Sequence, residues 1–310
     1  MFEVKEFPDF SWSLTRHKVV LDCQRKYGYD YYVSHNGWLK YNVAPIAQHA
    51  YRLKKLQHLP MFFGKIVHEL IEETIKEIMY THTLPSANSL VERARKMLND
   101  AYITSKYQYD TWAAKPNKHN MFFDIYYHGE LDKEAVSVYQ GRLASIFENF
   151  LNSHTVQELM VKGQQLDIKP PEQFRFIMID DVKVFLVMDL LYQDVETGQW
   201  VIVDWKTGKS SEADRQQLAL YAYYLQEKMD VPLEDILVRN EYLLANNHVE
   251  TTLELFDIET LLYIFTQSTQ YMKQFQADVL TNEPYELEAF VQTEFVEKCD
   301  KCNYKEICLK

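Results

Sequence analysis

The segment Asp204-Trp205-Lys206-Thr207-Gly208 closes the apolar run Trp200-Val201-Ile202-Val203, and another carboxylate, Asp189, lies in the extended run before it. Side chains of a strand alternate between faces. Asp204 and Lys206 therefore share one face, and Val203 and Trp205 take the other. Two carboxylates beside an ammonium suit hydrolysis of a phosphodiester, whose in-line transition state gathers negative charge while a water must become nucleophilic. Magnesium or manganese does both, and these hard ions take oxygen ligands such as Asp189 and Asp204. Lys206 would orient the attacking water or stabilise the developing charge. A D-x-K triplet by itself is also what a surface ion pair at a strand end looks like.

The elements around the triplet decide whether those side chains meet. Asp194-Val195-Glu196-Thr197-Gly198-Gln199 reads as a hairpin turn between the runs Lys183–Asp194 and Gln199–Lys206. A two-residue Thr197-Gly198 loop would pair Glu196 with Gln199. It would set Leu191 opposite Asp204 and Asp189 opposite Lys206, making Asp189 and Asp204 diagonal neighbours about 7 Å apart at Cβ. Upstream, Gly64-Lys65-Ile66-Val67-His68-Glu69-Leu70 opens a helix. Downstream, Gln217-Leu218-Ala219-Leu220-Tyr221 lies on another, with Gln217 and Tyr221 stacked at i, i+4.

In order, G-x-x-x-H, a strand-borne Asp, D-x-K-T-G and Q-x-x-x-Y resemble the RecB-like branch of the PD-(D/E)xK nuclease superfamily, over Ser11 to Cys308. The resemblance implies a restriction-endonuclease-like α/β fold, a mixed sheet flanked by helices. It implies His68, Asp189 and Asp204 as metal ligands and Asp189, Asp204 and Lys206 as catalytic. Gln217 and Tyr221 would position the lysine or the nucleic-acid strand. The implied activity is an Mg2+- or Mn2+-dependent DNA exonuclease acting on single-stranded ends, in repair, recombination or defence.

Four cysteines form a second constellation: Cys23 alone, and Cys299-x2-Cys302-x5-Cys308. With no apolar targeting segment and no run of about 18 apolar residues, a reducing, cytoplasmic setting without membrane contact is expected, and disulfides are not the first reading. Tetrahedral zinc usually takes paired C-x-x-C knuckles; a 4Fe-4S cluster accommodates one knuckle, a longer gap and a distant cysteine. Zinc and reduced structural thiols remain the alternatives. The arrangement, preceded by Ser11-Trp12-Ser13, looks like the iron-sulfur staple of the AddB-type and CRISPR-adaptation exonucleases, although Gln24 stands where proline is common. It would join the N- and C-terminal segments.

The 310 residues, 47% hydrophobic and 14% aromatic with 8 glycines and 9 prolines, fit one large domain rather than a disordered or repeat chain. Helices are expected at Met61–Tyr80, Ser89–Tyr107, Asp132–Val161, Glu212–Met229 and Asp257–Leu280. Strands are expected at Glu172–Asp180, Val182–Gln193, Trp200–Lys206, Ile236–Ala245 and Val249–Leu255. Residues 81–165 read as a helical lobe inserted in the single 1–310 domain. They would grip a strand, contact a partner, or cover the sheet. With a net charge of −12, long-range attraction to duplex DNA is not expected, which favours a narrow basic channel and a single-stranded end. Arg25 and Tyr27, in the run Arg25-Lys26-Tyr27-Gly28-Tyr29, are candidate nucleic-acid contacts beside Gln217 and Tyr221. A packed aromatic helix face explains that run equally well. Gly208-Lys209-Ser210 is no Walker motif, because Val203 stands where a glycine is required. Any unwinding would need a separate helicase. The rival reading is a non-catalytic nucleic-acid-binding or scaffolding subunit of a helicase-nuclease or CRISPR-type complex.

Overall fold

The computed structural model describes residues 4–169, 175–208 and 212–309. In chain order its main elements are β1 (Ser11–Trp12), α1 (Leu14–Asp22), α2 (Gln24–Gly28), α3 (Pro45–Lys54), α4 (Leu59–Thr81), α5 (Ala87–Tyr107), α6 (Lys133–Leu151), α7 (His154–Lys162), β2 (Leu166–Lys169), β3 (Arg175–Ile179), β4 (Val182–Leu186), β5 (Leu190–Asp194), β6 (Trp200–Lys206), α8 (Glu212–Met229), β7 (Ile236–Tyr242), β8 (Asn247–Thr252) and α9 (Leu255–Lys273). A mixed five-stranded sheet runs β8-β7-β6-β5-β2, and a three-stranded sheet runs β1-β4-β3. This is the mixed α/β architecture expected. Among the described residues, no helix is long and apolar enough to cross a membrane.

β6 separates two cores, as alternation requires. Val201, Val203 and Trp205 join a core with α4, α5, α6 and α7. Trp200 and Ile202 join another with Leu218, Tyr221 and Leu225 of α8 and Leu261 and Phe265 of α9. The helices within 81–165 thus share one continuous core with the sheet. α4 is held by a stripe at helical spacing, Phe62, Phe63, Ile66, Val67, Leu70, Ile71 and Ile75, all buried.

Several expected boundaries differ. The helix expected over 132–161 is two helices, because Asn152 ends α6 and the Ser153 hydroxyl caps α7 by accepting from Val156 N. The strand expected over 182–193 breaks at Val187-Met188-Asp189, sending β4 and β5 to different sheets. Residues 172–174 of another expected strand lie outside the described residues. Asp257–Leu280 is helical only to Lys273, and Gln276–Asp278 is a short strand.

The hairpin register also differs. Asp194 N donates to Gln199 O and Gly198 N to Asp194 O, so Val195–Gly198 form a four-residue loop. Glu196 and Thr197 N–H groups are taken by Asp194 Oδ1, and Gly198 adopts φ +78°. Leu190 pairs with Val203 and Leu191 with Ile202. The pairing is shifted by two residues from the expected one. An even shift keeps every side chain on its face, and the register continued one residue into the break sets Asp189 opposite Asp204 instead of diagonal to it.

Candidate active site

Asp189 sits in the break between β4 and β5, 22% exposed at its side chain. The Trp205 N–H donates to its Oδ2 at 2.9 Å, and His68 Nδ1 lies 3.1 Å from its Oδ1. His68 reaches it from α4. One turn earlier on that helix, Gly64 approaches the Thr207 hydroxyl: a Cβ there would stand 3.6 Å away, an ordinary contact. The helix of the G-x-x-x-H motif therefore runs beside the end of the D-x-K-T-G strand.

Asp204, 5% exposed at its side chain, is packed against Lys206, whose Nζ lies 2.7 Å from Oδ2. That close ion pair covers the buried Oδ2. Gln217 bridges the pair. Its Nε2 donates to Asp204 Oδ1 at 3.2 Å, and its Oε1 accepts from Lys206 Nζ at 3.2 Å. The same Nε2 reaches the Tyr221 hydroxyl, which donates to Val187 O. Through that carbonyl α8 fixes the break two residues before Asp189. Tyr221 is 3% exposed and so acts as a strut inside the protein.

The electrostatics follow from burial and crowding. Burial and the adjoining Asp189 push Asp204 up to about 7. Burial disfavours the His68 imidazolium, but the Asp189 and Asp204 carboxylates outweigh it and raise the pKa. Burial likewise opposes the Lys206 charge, and Asp204 and Asp214 overcome it and raise the pKa. Asp214 was missed in the sequence; its Oδ1 is 3.4 Å from Lys206 Nζ. It precedes Gln217 by three residues on the same helix, a spacing that puts both on one face.

Of the two nucleic-acid contacts expected at α2, Tyr27 is buried and Arg25 is half-buried. Tyr27 is 1% exposed, packed by Tyr31, Tyr32, Phe275 and Phe290. No face of it is left for a base, so the packed-face reading of that run holds. Arg25 donates from Nε to Phe290 O at 2.7 Å and anchors the C-terminal segment.

Cys23, Cys299, Cys302 and Cys308 are free thiols lining one cavity of about 360 Å3, with Lys26, Lys298, Lys301 and Lys305 around it. Burial pushes Cys302 up to about 11. Among the described residues, no group of three or more His, Cys, Asp or Glu side chains stands ready to hold a metal ion. The oxygens of Asp189 and Asp204 are turned to His68, the Trp205 amide, Gln217 and Lys206. Their chemistry nonetheless suits a hard divalent cation: two carboxylates close enough that each opposes the other's charge, with an imidazole on one of them.

No curated protein matches the chain. A family model does match, over residues 11–309, and its description is the PD-(D/E)XK nuclease superfamily. Given that match over nearly the whole length, the chain belongs to the PD-(D/E)XK nuclease superfamily.

Proposed function

We propose that this chain is a metal-dependent exonuclease that hydrolyses phosphodiester bonds at single-stranded DNA ends. The observation that carries it is the meeting of Asp189, Asp204 and Lys206 on one face, braced by His68 and Gln217. A divalent cation at the two carboxylates would help make water nucleophilic and offset charge on the phosphoryl oxygens. His68 orients Asp189 through Nδ1. Lys206 faces the scissile phosphate, and Gln217 holds its ammonium in place. The net charge of −12 speaks for a free single strand as substrate rather than duplex captured at long range.

The test is digestion of end-labelled single-stranded DNA with Mn2+ or Mg2+, comparing the parent with Lys206→Ala. Cleavage by the parent alone supports the reading, and the label position gives the polarity. No cleavage by either, with DNA bound, would replace it by a binding subunit whose partner cuts.

The four thiols are proposed to hold a 4Fe-4S cluster, with zinc as the alternative. What supports this is that all four line one cavity roomier than a single ion needs, among lysines that would offset a cluster's negative charge. Iron and zinc content with the visible spectrum of protein purified without oxygen distinguishes the two.

A further inference from the structure

The active face extends one strand beyond the family motif. β6 and β7 run parallel, with Asp204 paired to Asn240 and Lys206 to Tyr242. Ile236 and Val238 share the α8–α9 core with Ile202. Arg239 turns to the opposite side, meeting Glu158 and Tyr192. Alternation therefore puts Asn240 on the Asp204 face, one strand away, at a strand spacing of about 4.8 Å.

Asn240 is 8% exposed, and its Oδ1 is buried without a hydrogen-bond partner. Asp204 Oδ2, one strand away, is met by the Lys206 ammonium at 2.7 Å, so the unpaired acceptor is that of Asn240. A buried amide oxygen left unpaired is unfavourable. An electropositive occupant relieves it. The Lys206 ammonium is already engaged by Asp204, Asp214 and Gln217. A hard cation that accepts side-chain amide oxygens beside carboxylates fits the remaining need.

We propose that Asn240 Oδ1 is an oxygen ligand, direct or through one water, of the divalent cation held by Asp189 and Asp204. This rests on the metal-centre reading above.

The test titrates Mn2+ calorimetrically into the full chain and follows thermal unfolding in EDTA and in Mn2+. The parent, Asn240→Ala and Asn240→Asp are compared, with Asp204→Asn to assign the binding to this centre. Asn240→Ala should weaken Mn2+ affinity about tenfold and shrink the Mn2+-induced rise in Tm, while its Tm in EDTA stays level or increases because an unpaired acceptor is gone. Asn240→Asp should bind Mn2+ at least as tightly as the parent, and it carries the test if the alanine variant does not fold. Parent-like affinity in Asn240→Ala, or weakened affinity in Asn240→Asp, would overturn the proposal. A parent with no Asp204-dependent Mn2+ binding would overturn the metal-centre reading itself, and this inference with it.

Discussion

Lys206 is gripped by two carboxylates and a carboxamide, Asp204, Asp214 and Gln217, which fix where its charge can act. Lys206→Ala should lower single-turnover cleavage by about 10²–10³-fold, the usual cost of one preorganised charge-stabilising group, with DNA affinity by anisotropy little changed. Lys206→Arg should not rescue it, since a planar fork does not replace a point charge in that grip. Cleavage retained in the alanine variant would remove Lys206 from the reaction. Tyr221 has another signature. Buried, with its hydroxyl on Val187 O, Tyr221→Phe frees the break that carries Asp189. It should lower kcat with KM for DNA unchanged, whereas a rise in KM alone would mean that Tyr221 touches the strand. Alternation in β6 and the helical period in α8 made Asp204, Lys206, Gln217 and Tyr221 legible in the sequence. Tyr27 was not, because an aromatic run among basic residues has the same pattern whether its rings pack inward or meet bases.

At the scale of elements, the sheet that carries the site is locked to α7 by a buried polar network. Arg239 of β7, 3% exposed at its side chain, donates to Glu158 Oε2 of α7 at 2.9 Å, to Thr155 and to Tyr192. Lys162 and the Tyr192 hydroxyl also donate to Glu158. Burial would raise the Glu158 pKa, yet Lys162, Tyr192 and Arg239 outweigh it and hold it at about 2, below the ordinary 4.5. A depressed acid stabilises the fold above its unfolded value, and that stability is lost as pH falls through the folded one. Glu158→Gln should therefore cost about 2 kcal/mol at neutral pH. The gap from the parent should close as pH falls from 4.5 toward 2, measured by urea unfolding across that range. A gap independent of pH would deny the charge its role. None of this network was readable from spacing, because Glu158 and Arg239 lie 81 residues apart. The two-residue register shift at β5–β6 was hidden for a local reason: the Asp194 side chain builds a longer loop than Thr197-Gly198 alone suggests. The site survived that shift because the slip was even.

Across the whole molecule, the N- and C-terminal segments are laced together by ordinary hydrogen bonds. Gln24 Oε1 accepts from Val291 N, Arg25 donates to Phe290 O, Tyr29 OH donates to Ile307 O, and Tyr304 OH donates to Asp30 Oδ1. Tyr29 and Tyr304 stack with centroids 4.9 Å apart. Gln24, which departs from the proline common after this cysteine, thus has a structural use of its own. These contacts predict how a cysteine variant behaves. Removing one thiol would abolish four-thiolate ligation, but the lacing would still hold the segments in register. Cys302→Ala should therefore lose iron, or zinc, while keeping far-ultraviolet circular dichroism and a cooperative but lower Tm. The loss of Tm should be largest in protein loaded with metal, since binding energy of the metal is folding energy. Anaerobically purified parent and variant, compared by metal content and thermal unfolding before and after chelation, provide the measurement. If parent and variant carry equal metal and melt alike in every condition, the four cysteines are reduced structural thiols. If the variant alone unfolds, with no metal in the parent, packing of the Cys302 side chain is what stabilises that end of the molecule.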